Sequence, residues 1–282
     1  MSQRIFQHSP KLNKTIDNEV TMDLNLAGKT ALVTGSTSGI GLAIAKRFVA
    51  EGVNVVICGR SQSKLDAATA ELNAPMQVRA VQADAGTQAG VATLVEAVPS
   101  VDILINNLGI FEPKAFTDIA DEEWSHIFEV NIMSGVRLSR HYFPNMIAQN
   151  WGRIIFVSSE CGVVTPGDTI HYAMTKTAQL AVSRGLAEET KGTGVTVNCV
   201  LPGPTKSEGS TAFIKAAVTN KDASEEEREA EFFKTMRPLS LLQRLIHPEE
   251  IAAQVALLSS PFGAVTNGAA VRCEGGIVPT IL

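Results

Sequence analysis

The strongest constraint on this chain is a series of short apolar runs with little polar alternation, each separated from the next by a stretch of helical periodicity. The runs are TALVT (30–34), NVVIC (54–58), VRAVQ (78–82), DILIN (102–106), RIIFVSS (153–159), VTVNCV (195–200) and GAAVRCEGG (268–276). Strands that are apolar on both faces are buried on both faces, and helical crossovers between them imply parallel neighbours. Right-handed crossovers then fix much of the topology. The pattern predicts an α/β fold: a doubly wound, Rossmann-like parallel sheet of about seven strands, with helices on both faces, in a single domain. A length of 282 residues at 45% hydrophobic content is enough for one large core.

Two segments stand outside this rhythm. Residues 1–27 have weak periodicity and several turn-forming polar residues, so they read as an N-terminal extension to a domain spanning 28–282. Residues 203–246 carry Gly, Pro and the charged stretch NKDASEEEREAE before the pattern resumes at HPEEIAAQVALL. Long excursions of this kind commonly cover a site, and 203–246 is predicted to be a substrate-covering lid. Within it, the acidic run Glu225–Glu231 reads as a solvated helix face.

Charge and composition exclude several function classes. Net charge is −5 and no Lys/Arg block approaches the density of a nucleic-acid or membrane-surface patch. No window reaches the ~18 apolar residues of a membrane span, and the first residues lack the apolar run of a secretory signal, so the expected location is cytoplasmic. Cys58, Cys161, Cys199 and Cys273 form no CxxC and are expected to be reduced thiols. The five histidines show no HExxH or paired ligand spacing, so no metal site is predicted. His171 reads as a packing or surface residue, because neighbours on a helix point in different directions.

The first strand runs directly into TGSTSGIG, which places Gly35, Gly39 and Gly41 between a strand and a helix. There, backbone N–H groups and the positive end of the helix dipole can hold a pyrophosphate, and glycine lets a ligand approach without a Cβ clash. The second strand ends in Cys58-Gly59-Arg60, with no acidic residue to accept from a ribose 2′-OH. Arg60 can pair instead with a 2′-phosphate, which predicts NADP(H) in preference to NAD(H).

Further along, Ser159 ends a strand, and Tyr172 and Lys176 are four apart and so share a helix face. Together with the glycine turn, Asn106-Asn107-Leu108-Gly109 and Asn131 in FEVNI, these residues resemble the short-chain dehydrogenase/reductase family, in its shorter branch. The resemblance covers about residue 29 to the end of the chain. It implies a catalytic set of Asn131, Ser159, Tyr172 and Lys176, and cofactor contacts at Gly35, Ser36, Ser38, Gly39, Ile40, Gly41, Asp84, Asn107, Gly109, Tyr172, Lys176, Pro202, Gly203 and Thr205. Ser207 is an alternative to Thr205 for the nicotinamide carboxamide. Leu108 departs from the usual alanine, and the N-terminal extension has no counterpart in the family pattern.

The resemblance implies an oxidoreductase moving hydride between nicotinamide and a carbonyl or alcohol substrate, with a 3-oxoacyl-thioester as one candidate, in a homo-oligomer that is a tetramer or a dimer. Tyr172 is expected to act as acid/base, with its pKa lowered by about 2 to 3, in part by Lys176 and further by an oxidised nicotinamide. Ser159 is expected to hydrogen-bond the substrate oxygen, and Asn131 to hold a water that links Lys176 to solvent. Glu160 and Cys161 are placed either at the substrate pocket or in a capping role. The alternative is a dinucleotide-binding sensor on the same fold, which would have no need of the Ser159–Tyr172–Lys176 set.

Overall fold

The computed structural model describes residues 22–218 and 222–281. Its strands are β1 (Thr30–Val33), β2 (Asn54–Gly59), β3 (Val78–Gln82), β4 (Ile103–Asn106), β5 (Gly152–Val157), β6 (Val195–Pro202) and β7 (Ala270–Cys273). They form one sheet of order β3-β2-β1-β4-β5-β6-β7, and every neighbouring pair is parallel. The helices are α1 (Gly39–Ala50), α2 (Gln62–Leu72), α3 (Gln88–Ala97), α4 (Asp121–Phe128), α5 (Ser134–Ala148), α6 (Cys161–Val164), α7 (Ile170–Glu188), α8 (Glu208–Ala217), α9 (Glu225–Thr235) and α10 (Pro248–Ser259).

Alternate residues of the central strands feed two separate cores, as side-chain alternation requires. Ala31, Val33, Val55, Ile57, Ile103, Ile105 and Ile155 pack with α1, α2 and α10 on one face. Leu32, Val56, Leu104, Ile154 and Phe156 pack with α3, α5 and α7 on the other. This double cover explains why these strands read as unbroken apolar runs. β3 departs from it: Arg79 and Ala80 are exposed, because β3 is an edge strand with one neighbour.

Chain direction across the sheet reverses between β1 and β4, which are sequence-distant but paired, with Val33 opposite Ile105. In open α/β sheets, ligands bind in the crevice outside the carboxyl ends of strands at such a reversal. The same edge carries the end of β5 with Ser159, and the end of β6 with Pro202 and Gly203.

The packed part of the chain begins upstream of the predicted boundary at residue 28. Leu24 and Leu26 are 4% and 1% exposed and belong to the α1/α2/α10 core, and Gly28 N–H donates to Gly52 O at 2.9 Å. Two leucines in a short irregular segment leave no periodic signal, which is why the sequence pattern hid them. The remainder of the predicted extension, 1–21, lies outside the described residues. Leu26→Ala should destabilise the fold by about 2–4 kcal/mol. Urea denaturation checks this, and an unchanged midpoint would put residue 26 back in an extension.

Candidate active site

The glycine turn is built around the last residue of the first apolar run. The Thr34 hydroxyl donates to Ile105 O at 3.2 Å and accepts from the N–H groups of Asn107 and Leu108, both at 2.9 Å. Asn107 Nδ2 donates to Thr34 O at 2.8 Å and to Gly35 O at 3.2 Å, so one side chain ties the turn to the end of β4. Gly41 is required by closeness: a Cβ there would lie 2.4 Å from Gly35 O and 2.6 Å from Asn107 Nδ2. Gly39 takes φ +55°, a conformation that favours glycine, and a Cβ there would make only an ordinary contact with Ser207 Cβ at 3.8 Å.

The entry to α1 fits a dinucleotide pyrophosphate. Ser38 occupies the N-cap position without a side-chain cap, and no acidic residue sits in the first turn, so the N-terminal N–H groups are left to an anion. Ser38 is exposed and Ile40 half-buried at this entry. Ser36 behaves differently. It is fully buried and its hydroxyl accepts from Cys58 N–H at 3.0 Å, so its side chain serves the turn's attachment to β2.

Arg60 follows β2 with its side chain exposed, and its carbonyl accepts from Gln82 Nε2 at 3.1 Å. Asp84 follows β3, half-buried, with Oδ1 accepting from Gly86 N–H at 3.0 Å. Pro202 ends β6, and a Cβ on Gly203 would lie 2.7 Å from Glu274 O. Thr205 is 9% exposed and donates to Gly203 O at 2.9 Å, whereas Ser207 borders the cavity described below. Ser207 also caps α8 by accepting from Ser210 N–H at 3.0 Å.

On α7, Tyr172 and Lys176 lie one turn apart, with Lys176 Nζ 5.5 Å from the centre of the Tyr172 ring. Lys176 is 4% exposed and donates to Val157 O at 2.9 Å and to Gln179 Oε1 at 3.3 Å. Ser158 Oγ donates to Lys176 O at 2.8 Å, which pins the helix to the end of β5. Burial pushes the Lys176 ammonium down to about 8.

Burial also raises the Tyr172 phenol above its ordinary value, the charges of Cys161 and Glu160 add to this, and a hydrogen bond from Ser159 opposes it. The lowering was expected from Lys176 together with an oxidised nicotinamide; in the cofactor-free protein, loss of solvent is the largest influence on the phenol and raises it. His171 is 4% exposed and packs edge-on to Trp124 at 5.8 Å, the packing role expected of it.

Asn131 sits in a π-helical turn (Glu129–Met133) between α4 and α5. Its side chain is consumed by Ile110 N–H at 2.8 Å, Ile110 O at 3.0 Å and Thr175 Oγ1 at 3.0 Å. Its backbone carbonyl accepts from Gln179 Nε2 at 2.9 Å. The Gln179 amide thus joins Lys176 to the backbone of Asn131. Gln179 was not singled out in the sequence, although its position three residues after Lys176 on one helix face was available as a signal.

A cavity of about 690 Å³ opens beside Ser159 and Tyr172. Gly109, Gly203 and Ser207 border it, and Phe111, Phe213, Ile214, Phe232 and Leu245 give it apolar walls. Phe111 meets the Tyr172 ring edge-on at 4.9 Å. α8 and α9 supply much of the wall and share a small core of their own, made of Ile214, Val218, Phe232, Phe233 and Leu245.

Glu160, 4% exposed, lines the same cavity; it accepts from Ser159 Oγ at 2.7 Å and pairs with Arg237 Nε at 3.3 Å. Arg237 had not been identified as a site residue. Nothing in its local sequence marks it, since it reaches the site only through the path of the chain after α9. All four cysteines are free, and burial pushes the Cys161 thiol up to about 12, which does not suit a nucleophile.

A doubly wound sheet with an anion-ready turn, and a tyrosine–lysine pair beside a substrate-sized cavity, defines a dinucleotide-dependent oxidoreductase. The short chain dehydrogenase family model matches residues 29–217. The uncharacterized oxidoreductase YvaG of Bacillus subtilis is 50% identical over 263 residues, covering 92% of this chain and all of that one. The 3-oxoacyl-[acyl-carrier-protein] reductase FabG of Vibrio cholerae is 34% identical over 90% of this chain and 99% of its own.

Among solved structures, L-sorbose reductase from Gluconobacter frateurii, complexed with NADPH and L-sorbose, superposes with a TM-score of 0.87 at 32% identity, covering 92% of this chain and all of that one. The chain belongs to the short-chain dehydrogenase family and is an NAD(P)-dependent oxidoreductase.

The lowered Lys176 value carries a sign that can be measured. A base whose folded pKa lies below its unfolded value of about 10.4 is penalised while charged, and the penalty is relieved as pH rises through about 8. In the cofactor-free protein, wild type should therefore gain about 2–3 kcal/mol relative to Lys176→Met between pH 7 and pH 10. Urea titrations of both proteins at the two pH values test it, and a constant difference would contradict the assigned burial.

Proposed function

We propose that the chain reduces carbonyl compounds, or oxidises the corresponding alcohols, with NADP(H), and that Tyr172 exchanges the proton. The observation that carries this is the placement of Ser159 and Tyr172 on one cavity with Gly109 and Gly203, at the carboxyl edge of the sheet beside the glycine turn. The bound dinucleotide supplies or accepts the hydride.

The chain's own residues handle the proton. Tyr172 is held protonated by its burial, so its O–H is ready to donate to the oxygen that becomes an alkoxide during reduction. Ser159 lies beside the phenol, and its single O–H, which donates to Glu160 in the substrate-free protein, turns to the same oxygen when a carbonyl is bound. Lys176 provides a cation under the tyrosine ring and a donor toward the nicotinamide ribose. Gln179 and Asn131 keep it aimed by joining it to the π-helical turn. Tyr172 and Lys176 are part of the cofactor surface, together with Gly35, Ser38, Gly39, Ile40, Gly41, Asp84, Asn107, Gly109, Pro202 and Gly203. Ser207 is favoured over Thr205 for the carboxamide because it borders the cavity.

The α8–α9 segment acts as the lid over the substrate. Its apolar walls fit an acyl or aryl group next to the reacting carbonyl, in keeping with similarity to FabG proteins, which are 3-oxoacyl-[acyl-carrier-protein] reductases. A homo-oligomer is the assembly we favour, since β7 is a sheet edge with Ala270 exposed. No described helix is long and apolar enough to cross a membrane, which suits the proposed cytoplasmic location. The sensor reading needs no assembled proton donor, and one is present.

Turnover of a carbonyl panel with NADPH should fall by at least about 10²–10⁴ in Tyr172→Phe, while calorimetric cofactor binding persists; undiminished turnover would remove Tyr172 from the chemistry. Arg60 is free to meet a 2′-phosphate, so Arg60→Ala should weaken NADPH by about 10-fold or more and leave NADH unchanged. Equal effects on both cofactors, or none, would take Arg60 out of cofactor choice.

A further inference from the structure

We propose that Glu160, held by Arg237, makes this pocket selective for uncharged carbonyl substrates over those carrying a carboxylate next to the reacting group. The inference rests on the reading above that Ser159 and Tyr172 mark where the carbonyl sits.

Glu160 Oε2 accepts from Ser159 Oγ at 2.7 Å, so a carboxylate lies one hydrogen bond from the hydroxyl that meets the substrate oxygen. Oε1 takes Arg237 Nε at 3.3 Å and Cys161 Sγ at 3.6 Å. Arg237 spends Nη1 on Met236 O at 2.9 Å, and its guanidinium carbon lies 5.9 Å from the centre of the Phe232 ring. Side-chain exposure of the pair is 15% for Arg237 and 5% for Glu160.

Among the described residues bordering the cavity, these two are the only side chains of Asp, Glu, Lys or Arg, and they neutralise each other. Lys176 lies under the tyrosine ring and is committed to Val157 O and Gln179. An entering carboxylate thus finds no uncommitted cation on the wall. To use Arg237 it must share a guanidinium whose charge Glu160 already balances and settle close to a second negative charge. A ketone, ester or thioester incurs neither penalty, and the apolar walls favour it. The discrimination comes from a repulsive group next to the chemistry, a device that specific sites use as often as attraction.

The test compares ethyl acetoacetate with acetoacetate, which offer the same ketone and differ in charge. With NADPH, wild type should show kcat/KM for the ester at least about 100-fold above that for the anion. In Glu160→Gln the amide keeps an acceptor for Ser159 and loses the charge, so Arg237 can pair with the substrate carboxylate. The ratio should then narrow by about 10-fold or more, mainly through KM for acetoacetate. In Arg237→Met the anion should fare worse still and the ratio widen. Opposite movements in two variants of one ion pair are not what general damage to the pocket produces.

The same two compounds titrated calorimetrically into the NADPH complex of Tyr172→Phe read the preference without turnover. A wild-type ratio near one, a ratio unmoved by Glu160→Gln, or binding of neither compound overturns the proposal. Undiminished turnover in Tyr172→Phe would instead overturn the proton-transfer reading on which it stands.

Discussion

The Thr34 hydroxyl connects the two halves of the doubly wound sheet at the point where a ligand must enter. Donating to Ile105 O and accepting from two consecutive N–H groups of the next loop, it satisfies the polar ends of β1 and β4 together. Unpaired, those groups would each cost on the order of 1–3 kcal/mol in a buried setting. Asn107 completes the junction by holding the carbonyls of Thr34 and Gly35, and Gly41 is left with no room for a side chain. The glycine turn is shaped by its neighbours on β4 as much as by its own residues.

A second junction fixes the chemistry. α7 is fastened along its length: Ser158 Oγ to Lys176 O, Thr175 Oγ1 to Asn131 Nδ2, Gln179 Nε2 to Asn131 O, and Thr177 Oγ1 to Gly162 O. Such fastening is what a buried ammonium requires. Burial disfavours the charge of Lys176, and two acceptors with fixed positions offset part of that cost. The π-helical turn carrying Asn131 is a local departure from regular helix at a functional position, where π-turns are often found.

The α8–α9 segment forms a third packing unit beside the sheet's two cores. Its aromatic residues divide the work: Phe233 is buried within the segment's own core, while Phe213 and Phe232 also face the cavity. The segment is joined to the loop carrying Ser159 through Arg237 and Glu160, so one wall of the cavity and Ser159 meet at one ion pair. Breaking one partner of such a buried pair is costly, on the order of 3–5 kcal/mol, which ties the position of the wall to the charge state of the site.

The apolar runs, the glycine turn and the four-residue spacing of Tyr172 and Lys176 were legible in the chain, because each depends on local periodicity or on a backbone conformation open to few residues. The same local logic failed for Leu24 and Leu26, whose partners lie across the fold. Only the tertiary structure brought Gln179 between Lys176 and Asn131, and Arg237 onto Glu160, 77 residues away along the chain. It also set the desolvation of the Tyr172 phenol, a property of everything packed around the group. The sequence by itself determined the sheet, its two covered faces and the reacting pair; which acceptors the lysine spends itself on, and what charge faces the substrate, were decided by contacts between segments that no local pattern encodes.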